Sequence, residues 1–301
     1  MDLTVKIGNK TLSNPVGVAS GTFGYGSEYE NLVNLNEVGA LYTKTVTLKM
    51  RAGNECPRII ETPSGLLNSI GLANVGVKLF IRDKMPVLEK YTCAIISNIA
   101  GATINEYIKV LEMLEQCSNI WGYEINVSCP NVSRGGITFG TDAFLVECLT
   151  AALRKRTKKP LIIKLTPNVT DICQIAEGAE SGGADAVSCI NTLMGMVIDT
   201  KTKSIVLGNK TGGLSGPAIR PVGVGIVYKV KRAVKIPVIG LGGIMSASDA
   251  LQYFLAGSSA IQIGTGTFVD PGIPGKVLKG VVEFCNKEGI EKIEDLHKYI
   301  E

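Results

Sequence analysis

One stretch decides the fold of this chain: Tyr123-Glu124-Ile125-Asn126-Val127-Ser128-Cys129-Pro130-Asn131. Its alternating, half-apolar first part is typical of a strand, and Pro130 predicts where that strand leaves its sheet, because proline is tolerated only at strand ends and edges. We therefore expect Cys129 to lie at the carboxyl end of a strand. Residues 131–142 contain several glycines and serines and predict a loop long enough to fold over whatever lies beyond that end.

Apolar runs of the same kind recur along the chain, with helical segments between them. Besides the run in the opening stretch, strands are predicted over residues 16–20, 41–47, 93–100, 160–167, 186–192, 237–243 and 260–266. Helices are predicted over residues 28–38, 78–90, 105–116, 143–155, 171–181 and 246–256, and before residue 234. Continuous apolar strands that alternate with helices indicate a parallel sheet buried on both faces, and eight such units close a barrel. The sequence predicts an α/β protein, a TIM (β/α)8 barrel, as a single domain over residues 1–301 with long βα loops.

Composition supports a globular protein and argues against several other classes. The 301 residues are 45% hydrophobic and 19% charged, and the formal charge of +4 is spread along the chain, which is weak support for nucleic-acid binding. No run of about 18 apolar residues and no signal-peptide pattern occurs, so we expect a cytoplasmic protein without a membrane partner. The eight cysteines are scattered without a C-x-x-C pair, which argues against zinc, iron–sulfur ligation and a disulfide framework in this chain.

Polar residues are concentrated at the predicted strand ends. In a barrel of this kind, functional groups sit at the carboxyl ends of the strands. A buried amide or ammonium is costly unless it is paired, so many of them at one rim predict a binding site. The rim residues are Ser20, Lys44, Asn98, Asn126, Lys164 and Asn191.

The ends of the seventh and eighth strands carry no bulky side chain. They read Gly242-Gly243-Ile244 and Gly264-Thr265-Gly266-Thr267, and barrels commonly hold a phosphate on backbone N–H groups at this position. The alternative is that these glycines only allow tight turns. Lys44 and Lys164 also allow two interpretations, Schiff-base chemistry on a carbonyl or attraction of a negatively charged cofactor or substrate. The residues alone leave both questions open.

The motif series as a whole resembles the dihydroorotate dehydrogenase family, in order and over nearly the whole chain. This family is an FMN-containing barrel that oxidises dihydroorotate to orotate in pyrimidine biosynthesis. Cysteine at the base position is similar to the class 1 enzymes, and residues 191–199 with residues 212–217 are similar to subtype B. The motifs are Ser20-Gly21-Thr22, Lys44-Thr45, Asn68-Ser69-Ile70-Gly71-Leu72, Asn126-Val127-Ser128-Cys129-Pro130-Asn131, Lys164-Leu165-Thr166-Pro167, Ile190-Asn191-Thr192 and Gly212-Gly213-Leu214-Ser215-Gly216-Pro217.

The resemblance implies a role for each matching residue. Cys129 would be the general base that takes the C5 proton while the C6 hydride passes to the flavin N5. Orotate would be held by Lys44, Asn68, Ser69, Ile70, Gly71, Leu72, Asn126, Asn191 and Thr192. One FMN per chain would be surrounded by Ser20, Lys44, Thr45, Asn98, Asn126, Lys164, Ile190, Gly216, Gly242, Gly243, Gly264 and Thr265. A thiol has a reference pKa of about 8.5, so turnover should rise with pH through that region unless Lys44 depresses the value.

Subtype B also implies a partner. Its members form a homodimer that pairs with an electron-transfer subunit carrying FAD and a 2Fe–2S cluster, as a heterotetramer of two of each chain that passes electrons to NAD. The alternative within the family is subtype A, a homodimer that uses fumarate. Outside the family, a Schiff-base lyase using Lys44 or Lys164 and a non-catalytic barrel are the rival hypotheses. His297 is expected on the surface, Trp121 in the core and Arg134 in the loop after Cys129.

Overall fold

The computed structural model describes residues 1–128, 130–131 and 137–300. Within these ranges, eight parallel strands form a closed barrel, which confirms the predicted fold class. Each barrel strand pairs with its neighbours in the sequence, and β8 closes the barrel on β1 through the pair Ile263 and Val18. The barrel strands are β1 (Val16–Val18), β2 (Ala40–Tyr42), β3 (Ala94–Ile99), β4 (Ile120–Asn126), β5 (Leu161–Lys164), β6 (Ala186–Cys189), β7 (Val238–Leu241) and β8 (Ala260–Ile263).

Amphipathic helices cover the outside of the barrel. Several begin at a residue whose side chain accepts a hydrogen bond from a free N–H of the first turn, as Thr103, Asp142, Asp171 and Ser246 do. The longer α-helices are Ile104–Leu114, Ala143–Arg154, Ile172–Ser181, Arg220–Ala233, Ala247–Ala256 and Ile273–Lys287. Shorter helical segments are Ser27–Tyr29, Leu35–Glu37, Val77–Leu79, Phe80–Lys84, Met85–Leu88, Phe139–Thr141, Pro217–Ile219, Gly266–Val269 and Ile293–Tyr299.

The prediction of a helix over residues 28–38 is wrong. Two short 3-10 turns stand there, Ser27–Tyr29 and Leu35–Glu37. The Asn34 side chain accepts a hydrogen bond from the Asn36 N–H, and such local side-chain bonds compete with a continuous helix. Over residues 78–90 the predicted helix is interrupted by a π-helical segment, Phe80–Lys84, just before Pro86, which has no N–H to continue the α-helical ladder.

Two long insertions meet above the carboxyl ends of the strands and form a four-stranded antiparallel sheet, called here the rim sheet. The first insertion contributes Ile59–Thr62 and Gly65–Asn68, and the second contributes Leu193–Gly195 and Gly212–Ser215. Leu214 pairs with Leu67 across the two insertions. The sequence predicted long βα loops but not the pairing between them.

Smaller elements complete the described chain. Short antiparallel ladders join Val5–Ile7 to Lys10–Leu12, Pro130–Asn131 to Ile137–Thr138, and Ile198–Asp199 to Ser204–Ile205. His297 lies exposed in the last 3-10 helix, as predicted. Trp121 is only half-buried and packs against the core, with the Lys10 ammonium over its ring. In the described ranges, no helix combines the length and apolar character needed to cross a membrane.

Candidate active site

A cluster of polar side chains fills the barrel interior around a fully buried carboxylate, Glu124. Glu124 points inward because it lies two residues before Asn126 on β4, and strand side chains alternate between the two faces. Its Oε2 accepts from Asn98 Nδ2 at 2.6 Å and from Lys164 Nζ at 3.4 Å. Its Oε1 accepts from Ser188 Oγ at 2.9 Å and from Gln262 Nε2 at 2.6 Å. We call Glu124 and these four partners the interior cluster.

The predicted residues on β3 and β4 lie at the upper edge of this cluster. Asn98 is fully buried, and its Oδ1 accepts from Thr45 Oγ1 at 2.7 Å. The Asn126 carbonyl accepts from the Tyr107 hydroxyl at 2.7 Å, and its side-chain oxygen accepts from the Ser128 N–H at 3.1 Å. The first bond holds the Asn126 backbone and the second orients its side chain at the end of β4. Of the predicted residues, Asn98 and Lys164 thus belong to the interior cluster, Thr45 is bonded to Asn98, and Asn126 lies opposite Lys164 in the pairing of β4 with β5.

The rim sheet brings the predicted Asn68 and Thr192 to one point. Asn68 Nδ2 donates to the Gly213 carbonyl at 3.1 Å. A Cβ added to Gly213 would stand 1.9 Å from Thr192 Oγ1, so the hydroxyl lies directly against that glycine. Both side chains are half-buried and belong to insertions that are far apart in the sequence.

Asn191 connects this point to the end of β4. Asn191 Nδ2 donates to Ser128 Oγ at 2.9 Å, and its Oδ1 accepts from the Thr192 N–H at 2.8 Å. Ser128 precedes Cys129 in the sequence. Cys129 itself and Arg134 lie outside the described residues, so their predicted roles stay predictions.

The segment from Ser69 to Leu72 is held by the preceding loop. Asn54 Nδ2 donates to Ser69 Oγ at 2.9 Å, and the Asn54 N–H donates to the Ile70 carbonyl at 3.2 Å. Gly71 and Leu72 both have positive φ, 71° and 55°. Such a φ is uncommon for leucine and costs about 1–3 kcal/mol. The segment is thus fixed in a turn that the surrounding contacts impose.

Lys44 stands two residues after β2, half-buried at the rim. Burial lowers the pKa of its ammonium below the usual range; Glu28 opposes this shift and Arg58 adds to it. A desolvated ammonium with a lowered pKa attracts anions strongly, because fewer water molecules compete for it. Lys44 can therefore serve as the cation of an anion site or as an amine nucleophile.

Glycines from three segments meet at the ends of β7 and β8 and form what we call the glycine cradle, Gly216, Gly242, Gly243, Gly264 and Thr265. A Cβ added to Gly243 would lie 2.7 Å from the Gly216 carbonyl oxygen, and φ at Gly243 is 66°. Thr265 Oγ1 donates to Ser215 Oγ at 2.7 Å, which joins the end of β8 to the rim sheet. The glycine at position 243 is required by this backbone packing, and backbone without side chains is also what lets a phosphate reach N–H groups.

Two further predicted residues border these features. Ser20 lies just after β1. The preceding residue, Ala19, donates its N–H to the Ile263 carbonyl at 2.8 Å, so this segment lies beside Gly264 of the glycine cradle. Ile190 follows β6, is buried, and donates its N–H to the Leu241 carbonyl at 3.1 Å. Both residues therefore lie on the same rim as the glycine cradle and Lys164.

The predictions from sequence missed Glu124, Ser188 and Gln262. Each is a polar residue in a strand that is otherwise apolar, and each is fully buried. A charged residue two positions before Asn126 on the same face of β4 was the available signal. Its significance depends on partners from four other strands, which no local pattern reveals.

Buried thiols elsewhere in the described chain are poor candidates for a base. Burial raises the pKa of Cys93 to about 12 and also raises the pKa of Cys189. The pKa values of Cys117, Cys173 and Cys285 are raised as well, again mainly by burial. A thiol must be partly ionised to accept a proton, so these five cysteines do not compete for the role predicted for Cys129.

Comparison with known proteins agrees with the motif series. Residues 2–285 match the family model of dihydroorotate dehydrogenase. The chain is 49% identical over 295 residues to the dihydroorotate dehydrogenase B (NAD(+)) catalytic subunit of Pelobacter propionicus, covering 98% of this chain and 97% of that protein. The proteins of the same name from Trichlorobacter lovleyi and Geobacter sulfurreducens are 50% and 48% identical over 294 and 295 residues, with the same coverage of both chains.

Proposed function

This chain belongs to the dihydroorotate dehydrogenase family, and on that premise we propose that it is the catalytic subunit of an NAD-linked enzyme that oxidises dihydroorotate to orotate in pyrimidine biosynthesis. The observation that carries the proposal is the meeting of Asn68, Asn191 and Thr192 next to the segment that leads to Cys129. Amide and hydroxyl groups at one point can satisfy the several carbonyl and N–H groups of a pyrimidine ring.

Lys44 and Cys129 complete the proposed substrate site. A carboxylated substrate needs a cation as well as amide donors, and the half-buried Lys44 ammonium supplies one. Cys129 would accept the C5 proton, and the residues Ser69, Ile70, Gly71, Leu72 and Asn126 would surround the ring. The fixed turn at Gly71 and Leu72 supports this assignment, because strained backbone concentrates at binding sites.

The described residues fit two parts of one FMN cofactor, its phosphate and its ring. The glycine cradle offers backbone without side chains, which suits a phosphate, and Lys164 offers a buried cation, which suits a ring that becomes negative on reduction. When bound, FMN would accept the hydride from dihydroorotate. The residues that would hold it are Ser20, Lys44, Thr45, Asn98, Asn126, Lys164, Ile190, Gly216, Gly242, Gly243, Gly264 and Thr265.

An anaerobic visible spectrum of the purified protein, taken before and after adding dihydroorotate, tests the proposal. We expect a flavin spectrum that bleaches on addition. A flavin spectrum that does not respond would contradict the substrate but keep the cofactor. A protein that is colourless and cannot be reconstituted with FMN would favour the Schiff-base alternative, which borohydride trapping at Lys44 or Lys164 would then test.

The proposed enzyme needs a second subunit. The relatives are named catalytic subunits, which supports a partner, and we propose an electron-transfer chain that carries FAD and a 2Fe–2S cluster, in a heterotetramer of two of each chain located in the cytoplasm. Co-purification with an iron-containing chain and a particle mass matching two copies of each would support this assembly. A homodimer active with fumarate would support the subtype A alternative instead.

Lys44→Met is expected to weaken orotate binding about tenfold to hundredfold, because a charge-assisted hydrogen bond contributes about 1.5–3 kcal/mol. The protonated lysine binds the anion, so orotate affinity of the unaltered protein should fall as pH rises through the lowered pKa of Lys44. In Lys44→Met this fall should be absent. Titration of the flavin absorbance with orotate between mildly acidic and alkaline pH measures both effects, and the exposed Lys49→Met is the control. The same pH-dependent fall in Lys44→Met would exclude Lys44 from the site.

Gly243→Ala is expected to reduce FMN affinity at least about tenfold and to destabilise the fold by about 1–3 kcal/mol. The new Cβ would stand 2.7 Å from the Gly216 carbonyl oxygen and 2.8 Å from Arg220 Cβ, at a φ of 66° that alanine avoids. Gly225→Ala is the matched control, since Gly225 is exposed on a helix and has no neighbour within 4 Å; it should stabilise by up to about 1 kcal/mol. Fluorescence titration of the apoprotein with FMN measures the affinity, and urea unfolding measures the stability. Unchanged FMN affinity in Gly243→Ala would show that the FMN phosphate does not bind at this site.

A further inference from the structure

Glu124 is the most deeply buried charge in the described part of the chain that the proposed function leaves without a role. Its side chain is 0% exposed, and it lies inside the barrel below the rim that carries Asn126 and Asn98. Donors from β3, β5, β6 and β8 converge on its two oxygens. All four hydrogen bonds end at the carboxylate as acceptor, and one of the donors is the Lys164 ammonium, which is the pattern of an ionised group.

Stability does not explain why such a pair is kept. Taking two charges out of water costs several kcal/mol per ion, and replacing a buried ion pair by apolar side chains is often neutral or stabilising. The contact between Lys164 Nζ and Glu124 Oε2 is 3.4 Å, longer than the usual charge-assisted hydrogen bond of about 2.7–2.9 Å. The pair therefore stabilises the fold weakly but places a negative charge directly beside the lysine.

Lys164 is the residue on which this charge acts. Its ammonium has three N–H donors, and Glu124 is its partner among the described residues. Lys164 is 4% exposed and ends β5, so the remaining donors are held near the rim, where the glycine cradle and Asn126 also lie. A lysine on a flexible four-carbon stem keeps one position only when a second group fixes it.

We propose that Glu124 is a positioning residue for the proposed cofactor: it holds the Lys164 ammonium in place and offsets its charge, and thereby sets the reduction potential of bound FMN. This inference rests on the proposed function only in that FMN is the ligand. With Glu124 ionised, the pair carries no net charge. Without that carboxylate, Lys164 contributes a full positive charge, and the more negative reduced flavin binds more tightly relative to the oxidised form.

The test is the midpoint potential of the FMN-loaded Glu124→Gln protein, equilibrated with redox dyes, together with the dissociation constant of oxidised FMN. Glutamine has nearly the same shape and keeps the acceptor oxygen but removes the charge. We expect the ratio of the dissociation constants of oxidised and reduced FMN to rise at least tenfold, which is about 30 mV toward positive potential for a two-electron couple. Neither measurement needs dihydroorotate, so loss of substrate turnover does not affect them.

Glu115→Gln is the matched control. Glu115 is also a hydrogen-bonded carboxylate beside a lysine: its Oε1 accepts from Tyr123 Oη and Thr157 Oγ1, both at 2.7 Å, and lies 3.8 Å from Lys159 Nζ. It stands outside the barrel and away from the rim, so its loss should leave the potential unchanged. A shift of equal size in both variants, or none in Glu124→Gln, would overturn the proposal.

A double variant separates action through Lys164 from a direct effect on the flavin. In a Lys164→Gln background, Glu124→Gln should change the potential much less than it does alone; a full shift in that background would contradict the positioning role. If Glu124→Gln does not fold, Glu124→Asp keeps the charge but withdraws it from Lys164 and should shift the potential in the same direction. If both variants unfolded, Glu124 would have a structural role only, and the positioning proposal would be wrong. If the wild-type protein did not bind FMN, the proposed function itself would be wrong.

Discussion

Cys129→Ser is expected to slow the reduction of bound flavin by dihydroorotate about 10²–10⁴-fold, which is the usual contribution of a positioned general base. An alcohol is a much weaker base than a thiol, whereas the size of the side chain changes little. FMN content and orotate affinity should therefore stay the same. Anaerobic stopped-flow mixing, followed at the flavin absorbance maximum, measures the reductive step alone.

The rate of this reductive step should also depend on pH. In the unaltered protein the reduction rate should rise with pH through the pKa of the thiol, about 8.5 for an unperturbed cysteine, and this rise should be lost in Cys129→Ser. Cys173→Ser is the control, since Cys173 lies on an outer helix. A reduction rate that is flat across this pH range in the unaltered protein would show that Cys129 is not the general base. Loss of FMN in Cys129→Ser would indicate a structural role for this residue instead.

Lys164→Met is expected to lower the free energy of unfolding by about 3–5 kcal/mol and to weaken FMN binding. The stability loss follows because Glu124 would remain as a fully buried carboxylate without a counter-charge, and breaking a buried ion pair by removing one partner costs about this much. The three neutral donors to Glu124 remain and place the loss in the lower half of that range. Urea unfolding with and without FMN measures both quantities.

The control for this prediction is a lysine in an exposed ion pair. Lys279 and Glu283 lie four residues apart on the helix Ile273–Lys287, with side chains 79% and 66% exposed. Lys279→Met should change stability little, because surface pairs are screened by solvent. If Lys164→Met unfolded at the same urea concentration as Lys279→Met, Glu124 would have to be neutral in the folded protein.

Strand positions were the part of this structure that could be predicted best. A strand of a closed parallel barrel is buried on both faces, so it leaves an apolar run that is visible without knowledge of its partners. The polar ends of these runs also identified the rim, and Asn98, Asn126 and Lys164 do lie at the ends of barrel strands. Ser20, Lys44 and Asn191 follow just beyond their strands instead, because the assigned end of a strand is defined only to within one or two residues.

What could not be predicted depends on contacts between distant parts of the chain. The rim sheet pairs Leu67 with Leu214, and its short strands have no periodicity that distinguishes them from loop. Glu124 is the one charged residue of its strand, and its partners Lys164 and Gln262 come from other strands of the barrel. The helix prediction for residues 28–38 was wrong for the opposite reason. A local hydrogen bond from the Asn36 N–H to the Asn34 side chain competes there with a continuous helix.

The rim sheet has a consequence for how this protein can diverge. Asn68 and Thr192 belong to the two insertions, whereas Lys164 and Glu124 belong to the barrel. On the proposed assignments, the part of the substrate site that the insertions supply can therefore evolve separately from the cofactor site, by replacement of the insertions on an unchanged barrel. The replacement has to be concerted, because residues 66–68 and 213–215 share one ladder and a new sequence in either insertion must still match the register of the other. Each insertion constrains the evolution of the other.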